Sequence, residues 1–229
     1  MVSDELKRQA GERAAMLVED GMTIGLGSGS TALAFVRALG QRVAEGLRVR
    51  AVSSSERTSA AAAAVGIELI DLVGRLDLAV DGADVIERGS LHAIKGLGGA
   101  LTREKLVALA TDRFILIGDS SKVTEHLRES QPRIPIPVEV VPFGWKLTRE
   151  RLGQLGDPVL REHDGTPFVT DNGNLVLDLY GTDVDQPEQL AATLKEMTGV
   201  VEHGLFLNMA ALAIVAGQGG IEELTVERG

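Results

Sequence analysis

The chain has 229 residues, 44% of them hydrophobic, 24% charged and 3% aromatic, and its formal net charge is −10. That length suits one large domain, or one domain with a smaller partner, and the core must be built mainly from Ala, Val, Leu and Ile. The negative charge repels phosphate backbones, so nucleic-acid binding is disfavoured as a main role, and the absence of cysteine excludes disulfides, thiolate-held metals and thiol catalysis.

Residues 4–19 read as a helix, with Ser3 as N-cap and apolar positions at Leu6, Ala10, Ala14 and Leu17. This charged start lacks an apolar signal core, and no apolar run approaches the roughly 20 residues that cross a bilayer. A cytoplasmic protein with no membrane partner is expected. Residues 22–27 read as a short buried strand, followed by a Gly/Ser turn and a helix over Ala32–Ala44. A strand over Arg48–Val52 leads through Ser53–Ser55 into a further helix. Apolar strands follow at Ile67–Ile70, Leu78–Val80 and Phe114–Ile117. Such alternation predicts a mostly parallel sheet covered by helices.

The character changes near Pro132, where IPIPVEVVP suits a crossover entering an edge strand. A helix over Trp145–Leu155 comes next, then TDNGN (170–174) as a tight hairpin turn. A strand over Leu175–Leu179, a helix over Pro187–Met197 and a strand near Val200 complete a compact α+β unit. After Gly204, MAALAIVAG reads as a buried strand or helix returning to the first unit. The predicted fold class is α/β, with a mostly parallel sheet, helices on both faces and a smaller inserted α+β domain. The division is 1–130 with 205–229 for the larger domain and 131–204 for the smaller.

Three segments carry chemistry. GLGSGST (25–31) lies between a strand and a helix, where glycines let the backbone approach an anion. Helix amides and the hydroxyls of Ser28, Ser30 and Thr31 can donate to phosphate oxygens. It has no Gly-Lys-Ser/Thr, and the second strand ends in Ser53–Ser55 rather than an acid, so a phosphate suits it better than a nucleotide. A Ser/Gly turn that only caps a helix is the alternative. DGAD (81–84) leaves a buried strand at the end where open parallel sheets bind ligands. Two aspartates there need a ligand, a cation or hydrogen-bond donors, though an Asx-type turn also fits. KGLGGALTREK (95–105) places Lys95 before glycines and Glu104 in the early turns of a helix, from which Glu104 can project back toward the lysine loop. The alternative is a solvated helix face, with Arg103 and Lys105 as surface charges.

These parts match the needs of aldose–ketose isomerisation. That reaction takes one base, usually a carboxylate of raised pKa, that reaches two adjacent carbons. It also takes positive charge or N–H donors at the developing oxyanion, and a remote phosphate grip. The Ser53–Thr58 cluster could line a sugar pocket or cap a helix. His92, His126, His163 and His203 show no metal-ligand spacing and read as surface or turn residues.

The ordered set DELK (4–7), GLGSGST, AVSSSERT (51–58), VDGAD (80–84), KGLGGALTREK, SK (121–122), IPIPVEV (134–140), VTDNGN (169–174) and GLFLN (204–208) resembles the ribose-5-phosphate isomerase A family along nearly the whole chain. The resemblance implies interconversion of D-ribose 5-phosphate and D-ribulose 5-phosphate through an enediolate, without metal or cofactor, on a Rossmann-like domain. It implies Glu104 as the base, Asp81 assisting ring opening, Asp84 nearby and Lys95 stabilising the enediolate. Backbone at Gly82, Ala83, Gly96, Leu97 and Gly98 would contact the sugar. The phosphate would sit on Ser28, Gly29, Ser30 and Thr31 with Lys7 and Lys122, and the enzyme would be a homodimer or tetramer. Ser28 stands where threonine is usual, Leu97 where glycine is usual, and Gly99 in place of another small residue; the N–H at 97 survives, so activity is expected. A sugar-phosphate sensor without catalysis, and an acyl-CoA transferase using a glutamyl thioester, are the competing readings.

Overall fold

A computed structural model describes residues 2–226. The chain begins with α1 (Val2–Ala15), whose acidic first turn and basic last turn complement the helix dipole. This helix is shorter than the predicted 4–19, and Ser3 lies inside it rather than capping it. The stop has a donor: the Arg42 guanidinium takes the carbonyls of Ala15 and Val18, satisfying groups a longer helix would have bonded internally.

Next come β1 (Thr23–Leu26), α2 (Gly29–Ala44), β2 (Arg50–Ser53), α3 (Glu56–Ala64), β3 (Glu68–Leu69), β4 (Leu78–Gly82), β5 (Val85–Glu87), β6 (Ala93–Ile94), α4 (Leu101–Leu109) and β7 (Phe114–Asp119). Capping decides the start of α3, where the Ser55 hydroxyl accepts the Thr58 N–H at 3.2 Å. Then β8 (Val123–Thr124), β9 (Ile136–Val140), α5 (Trp145–Leu152), β10 (Asp157–Leu160), β11 (Glu162–His163) and β12 (Thr166–Pro167) follow. The chain closes with β13 (Leu175–Tyr180), α6 (Pro187–Glu196), β14 (Val200–His203), β15 (Leu205–Phe206), β16 (Ala210–Gly217) and β17 (Gly220–Leu224).

The central sheet has the order β17-β16-β7-β4-β1-β2-β3 and is parallel except for β17. Alternate residues of its inner strands face two helical layers. Leu78, Val80, Ile115 and Ile117 pack against α1, α2 and α3, whereas Ala79 and Leu116 pack against the α4 side. Each fully buried Ile or Leu contributes about 1.5–3 kcal/mol. Strand order reverses between β1 and β4, because β2 and β3 extend to one side and β7 and β16 to the other. A crevice therefore opens beyond the carboxyl ends of β1, β4 and β7.

A second, antiparallel sheet, β10-β13-β9-β14, is drawn entirely from residues 136–203. Here β9 is interior, not the predicted edge strand. Pro137 is tolerated because it lies past the last β9–β14 pair, where its carbonyl accepts the Gly204 N–H at 2.8 Å. The core beneath this sheet joins Val138, Leu177 and Leu194 to Val85, Ile94 and Leu127 from the preceding part of the chain. The four short strands of β15-β6-β5-β8 were not foreseen, being only two or three residues long. Among the described residues no helix is long and apolar enough to cross a membrane.

Candidate active site

Three loops meet in the crevice. The turn after β1 brings Ser28 to the N-terminus of α2, which starts at Gly29, three residues earlier than predicted. Its first turn carries no acidic residue, so the positive end of the helix dipole is left for an external anion. Ser30 and Thr31 lie in this turn, with Lys7 from α1 and Lys122 from the turn after β7 beside them on the wall of a cavity of about 260 Å³. Neither lysine has a carboxylate partner among the described residues.

The Ser28 hydroxyl does not cap α2; it donates to Glu104 Oε1. Asp81, at the end of β4, is held from two sides, since Ser28 N–H and Gly82 N–H reach its Oδ1 at 2.9 and 2.7 Å. There is no spare room around it: a Cβ on Gly27 would lie 2.0 Å from Asp81 Cγ. Lys95 Nζ stands 2.8 Å from Asp81 Oδ2 and 3.3 Å from Glu104 Oε2, and it donates to the Gly82 carbonyl. Behind it lies the Phe206 ring, whose centroid is 5.3 Å from the ammonium.

All three charged groups are 4% exposed or less. Burial, and then the neighbouring Glu104, push the Asp81 carboxyl up to about 7 against the pull of Lys95. Burial disfavours the Lys95 ammonium, but Asp81 and Glu104 together outweigh it and hold the amine above its ordinary range. Two buried carboxyls thus share one fixed cation. Asp84 is also raised by burial, and its Oδ2 accepts the Leu97 N–H at 3.0 Å.

The cavity wall includes Ser28, Gly29, Ser30, Thr31, Gly82, Ala83, Asp84, Lys95, Gly96, Gly98, Glu104, Lys7 and Lys122. Asp81 sits behind that wall. Leu97 also stands outside it, with its amide engaged by Asp84 and the residue 42% exposed. Backbone geometry explains how a leucine is accommodated: the left-handed residues of the loop are Gly96 (φ 105°) and Gly99 (φ 81°), not residue 97. Three wall residues had escaped notice as site residues, namely Ser3, Asp119 and Ser121. Asp119 Oδ1 accepts from the Ser121 amide at 3.0 Å and shapes the turn that presents Lys122. Its signal was available as an aspartate at the end of a buried strand, as at Asp81.

Two expectations are corrected. Lys105 is buried, 2.8 Å from Glu202 Oε1, instead of lying on a solvated face. His92 and His203 are buried too, not surface residues. A broader depression of about 650 Å³, walled by Val52, Leu69, Leu72, Leu106 and Val107, is larger than the crevice cavity but lacks its converging buried charges. Chemistry, not size, picks out the site.

Fold and cavity together define an open α/β enzyme site with a helix N-terminus and two lysines on its wall beside paired carboxyls that share an ammonium. A family model for ribose 5-phosphate isomerase A (phosphoriboisomerase A) matches residues 50–220. The ribose-5-phosphate isomerase A of Thermomicrobium roseum is 50% identical over 100% of this chain and 97% of its own length. That of a Synechococcus strain is 51% identical, covering 97% of each. A solved D-ribose-5-phosphate isomerase in complex with phospho-erythronic acid superposes with a TM-score of 0.92 at 33% identity, over 98% of this chain and 100% of its own. The enzyme from Methanocaldococcus jannaschii gives 0.91 at 36% identity, over 96% and 98%. The chain belongs to the ribose-5-phosphate isomerase A family, aldose–ketose isomerases that act on ribose 5-phosphate.

Proposed function

We propose that this chain interconverts D-ribose 5-phosphate and D-ribulose 5-phosphate through an enediolate, with Glu104 as the base, in the non-oxidative pentose phosphate pathway. The observation that carries the reading is Glu104 Oε2. It is buried, has no hydrogen-bond partner among the described residues, lies 3.3 Å from Lys95 Nζ, and belongs to the wall of the cavity that ends at α2.

In this mechanism the phosphate rests on the amides of Gly29–Thr31 and the hydroxyls of Ser30 and Thr31, because the expected Ser28 amide and hydroxyl are already donated to Asp81 and Glu104, with Lys7 and Lys122 balancing its charge. Asp81 assists ring opening by moving protons at the sugar hydroxyls, a role that suits a carboxyl titrating near neutrality. Glu104 takes the proton from C2, and the electron pair left behind forms the enediolate, whose oxyanion faces Lys95 and the loop amides. Asp84 holds the lysine loop through the Leu97 N–H. A proton moves between O1 and O2, and Glu104 returns its proton to C1 to give the ketose. Phospho-erythronic acid, the ligand of the related solved enzyme, carries a carboxylate where the enediolate carries its two oxygens, and we expect it to inhibit.

We also propose the division into a larger domain (1–130 with 205–229) and a smaller one (131–204), supported by the separate antiparallel sheet of 136–203. A cytoplasmic homodimer, or else a tetramer, is the expected form, the assembly resting on the family resemblance alone; light scattering checks it.

The test is conversion of ribose 5-phosphate by purified protein in EDTA, beside Glu104→Gln. Conversion is expected in the wild type, and the variant should lose about 10²–10⁴-fold in kcat with little change in substrate binding. Wild-type turnover in the variant removes Glu104 as base. Binding without conversion in the wild type favours the sensor.

A further inference from the structure

The lysine loop is anchored from outside the cavity by a side chain of the second sheet's unit. Arg161 directly follows β10, and its backbone is fixed by the Val176 carbonyl at 2.9 Å. Four of the five N–H donors of its guanidinium are engaged. Nε donates to Asp178 Oδ2 at 2.8 Å and Nη2 to Asp178 Oδ1, while Nη1 donates to both the Gly96 carbonyl, at 2.9 Å, and the Leu97 carbonyl, at 3.0 Å. The side chain is 13% exposed, and the Phe168 ring lies 5.9 Å from Cζ.

A trans peptide points its carbonyl and its N–H in opposite directions. The 96–97 peptide shows what this does here, running from Arg161 at its carbonyl to Asp84 at its N–H. The 97–98 peptide has the same outer anchor, and its N–H, on Gly98, has no acceptor among the described residues. Gly98 is a wall residue, and a Cβ there would point within 3.8 Å of the Ser28 hydroxyl. A cation on a peptide carbonyl also strengthens the N–H of the same peptide as a donor. Such anchoring adds to the loop's one internal turn bond, Gly99 N–H to the Gly96 carbonyl at 2.9 Å, in a segment whose glycines at 96, 98 and 99 leave the backbone wide conformational freedom.

We propose that Arg161 is a positioning residue for the isomerisation: it orients and polarises the 97–98 peptide so that Gly98 N–H meets the oxygen that becomes negative during proton transfer. The inference rests on the isomerase reading, with the lysine loop at the reacting carbons. Arginine is required because one planar fork must satisfy Asp178 and two carbonyls together, which a lysine cannot do.

The experiment compares wild type with Arg161→Lys and with the double variant Arg161→Met/Asp178→Leu, which removes the pair without leaving Asp178 buried and uncompensated. Each is assayed with ribose 5-phosphate and with two competitive probes, inorganic phosphate and phospho-erythronic acid. Both variants should lose about 10–100-fold in kcat with KM within about threefold, and inhibition by phospho-erythronic acid should weaken about 10-fold or more while inhibition by phosphate stays within about twofold. Unchanged kcat and unchanged phospho-erythronic acid inhibition overturn the inference. So does equal weakening of both probes, which is what general loosening of the site produces. If the double variant fails to fold, Arg161→Lys decides by the same readings. Failure here leaves the wild-type and Glu104→Gln results standing, so it is distinguishable from failure of the isomerase reading.

Discussion

At the anion end of the cavity the protein offers helix amides, hydroxyls and the half-buried Lys7 and Lys122, all beside water. At the other end it offers Lys95 and Glu104, with Asp81 behind them, each nearly sealed from solvent. Water can screen and replace contacts at the first end, so each group there adds a modest share of binding. At the second end nothing replaces a missing partner, because a buried charge without its counterpart is costly. On the proposed mechanism the difference separates the group that holds the substrate from the group that does the chemistry, and substitutions should divide along the same line.

The largest effect is expected for Lys95→Met, which leaves Asp81 and Glu104 side by side without their cation. We expect kcat to fall about 10³-fold and stability to fall by about 3–5 kcal/mol, reduced to the extent that Asp81 takes up a proton. Steady-state kinetics and denaturant unfolding measure the two losses, and a variant impaired in neither would erase the contrast between the ends. Asp81→Asn comes next, with a loss of about 100-fold in kcat. Its pH behaviour sharpens the comparison. The native carboxyl keeps its proton to about 7, against an ordinary value of 3.8. Between those values the folded chain binds a proton that the unfolded chain has released, so this group's contribution to stability falls as pH rises. Activity should run the opposite way, with kcat/KM rising through about pH 7 as the acceptor form fills, and that limb should vanish in the variant. The smallest effect belongs to Lys122→Met, which should raise KM about 10-fold and leave kcat within about threefold, with the wild-type KM rising in salt. A large kcat loss there would place Lys122 at the wrong end.

Much of this was legible in the sequence because it depends on short-range rules. Alternating strand and helix patterns give the parallel sheet, and a Gly/Ser turn between strand and helix gives the proposed anion site. Glu104 falls opposite Lys95 because both flank one loop and the first turns of one helix. Illegible features depend on distant partners. Lys105 looked like an ordinary surface charge, since nothing nearby reveals Glu202 across the fold. The early stop of α1 is set by Arg42, and the interior place of β9 by β13 and β14. Arg161 carried no local signal at all, because the carbonyls it grips lie in another unit of the chain.

Glu139 in β9 is completely buried, and its carboxyl accepts from Thr102 in the first turn of α4 and from Thr170, Asn172 and Asn174 in the turn before β13. One side chain therefore stitches the helix that bears Glu104 to the turn that leads into β13 of the other sheet. Opening either segment strands its donors and leaves one oxygen of this buried carboxyl unpaired, so their amides should exchange with deuterium as a single cooperative unit. Helix α4 inherits its rigidity from a turn whose residues are not among those lining the cavity.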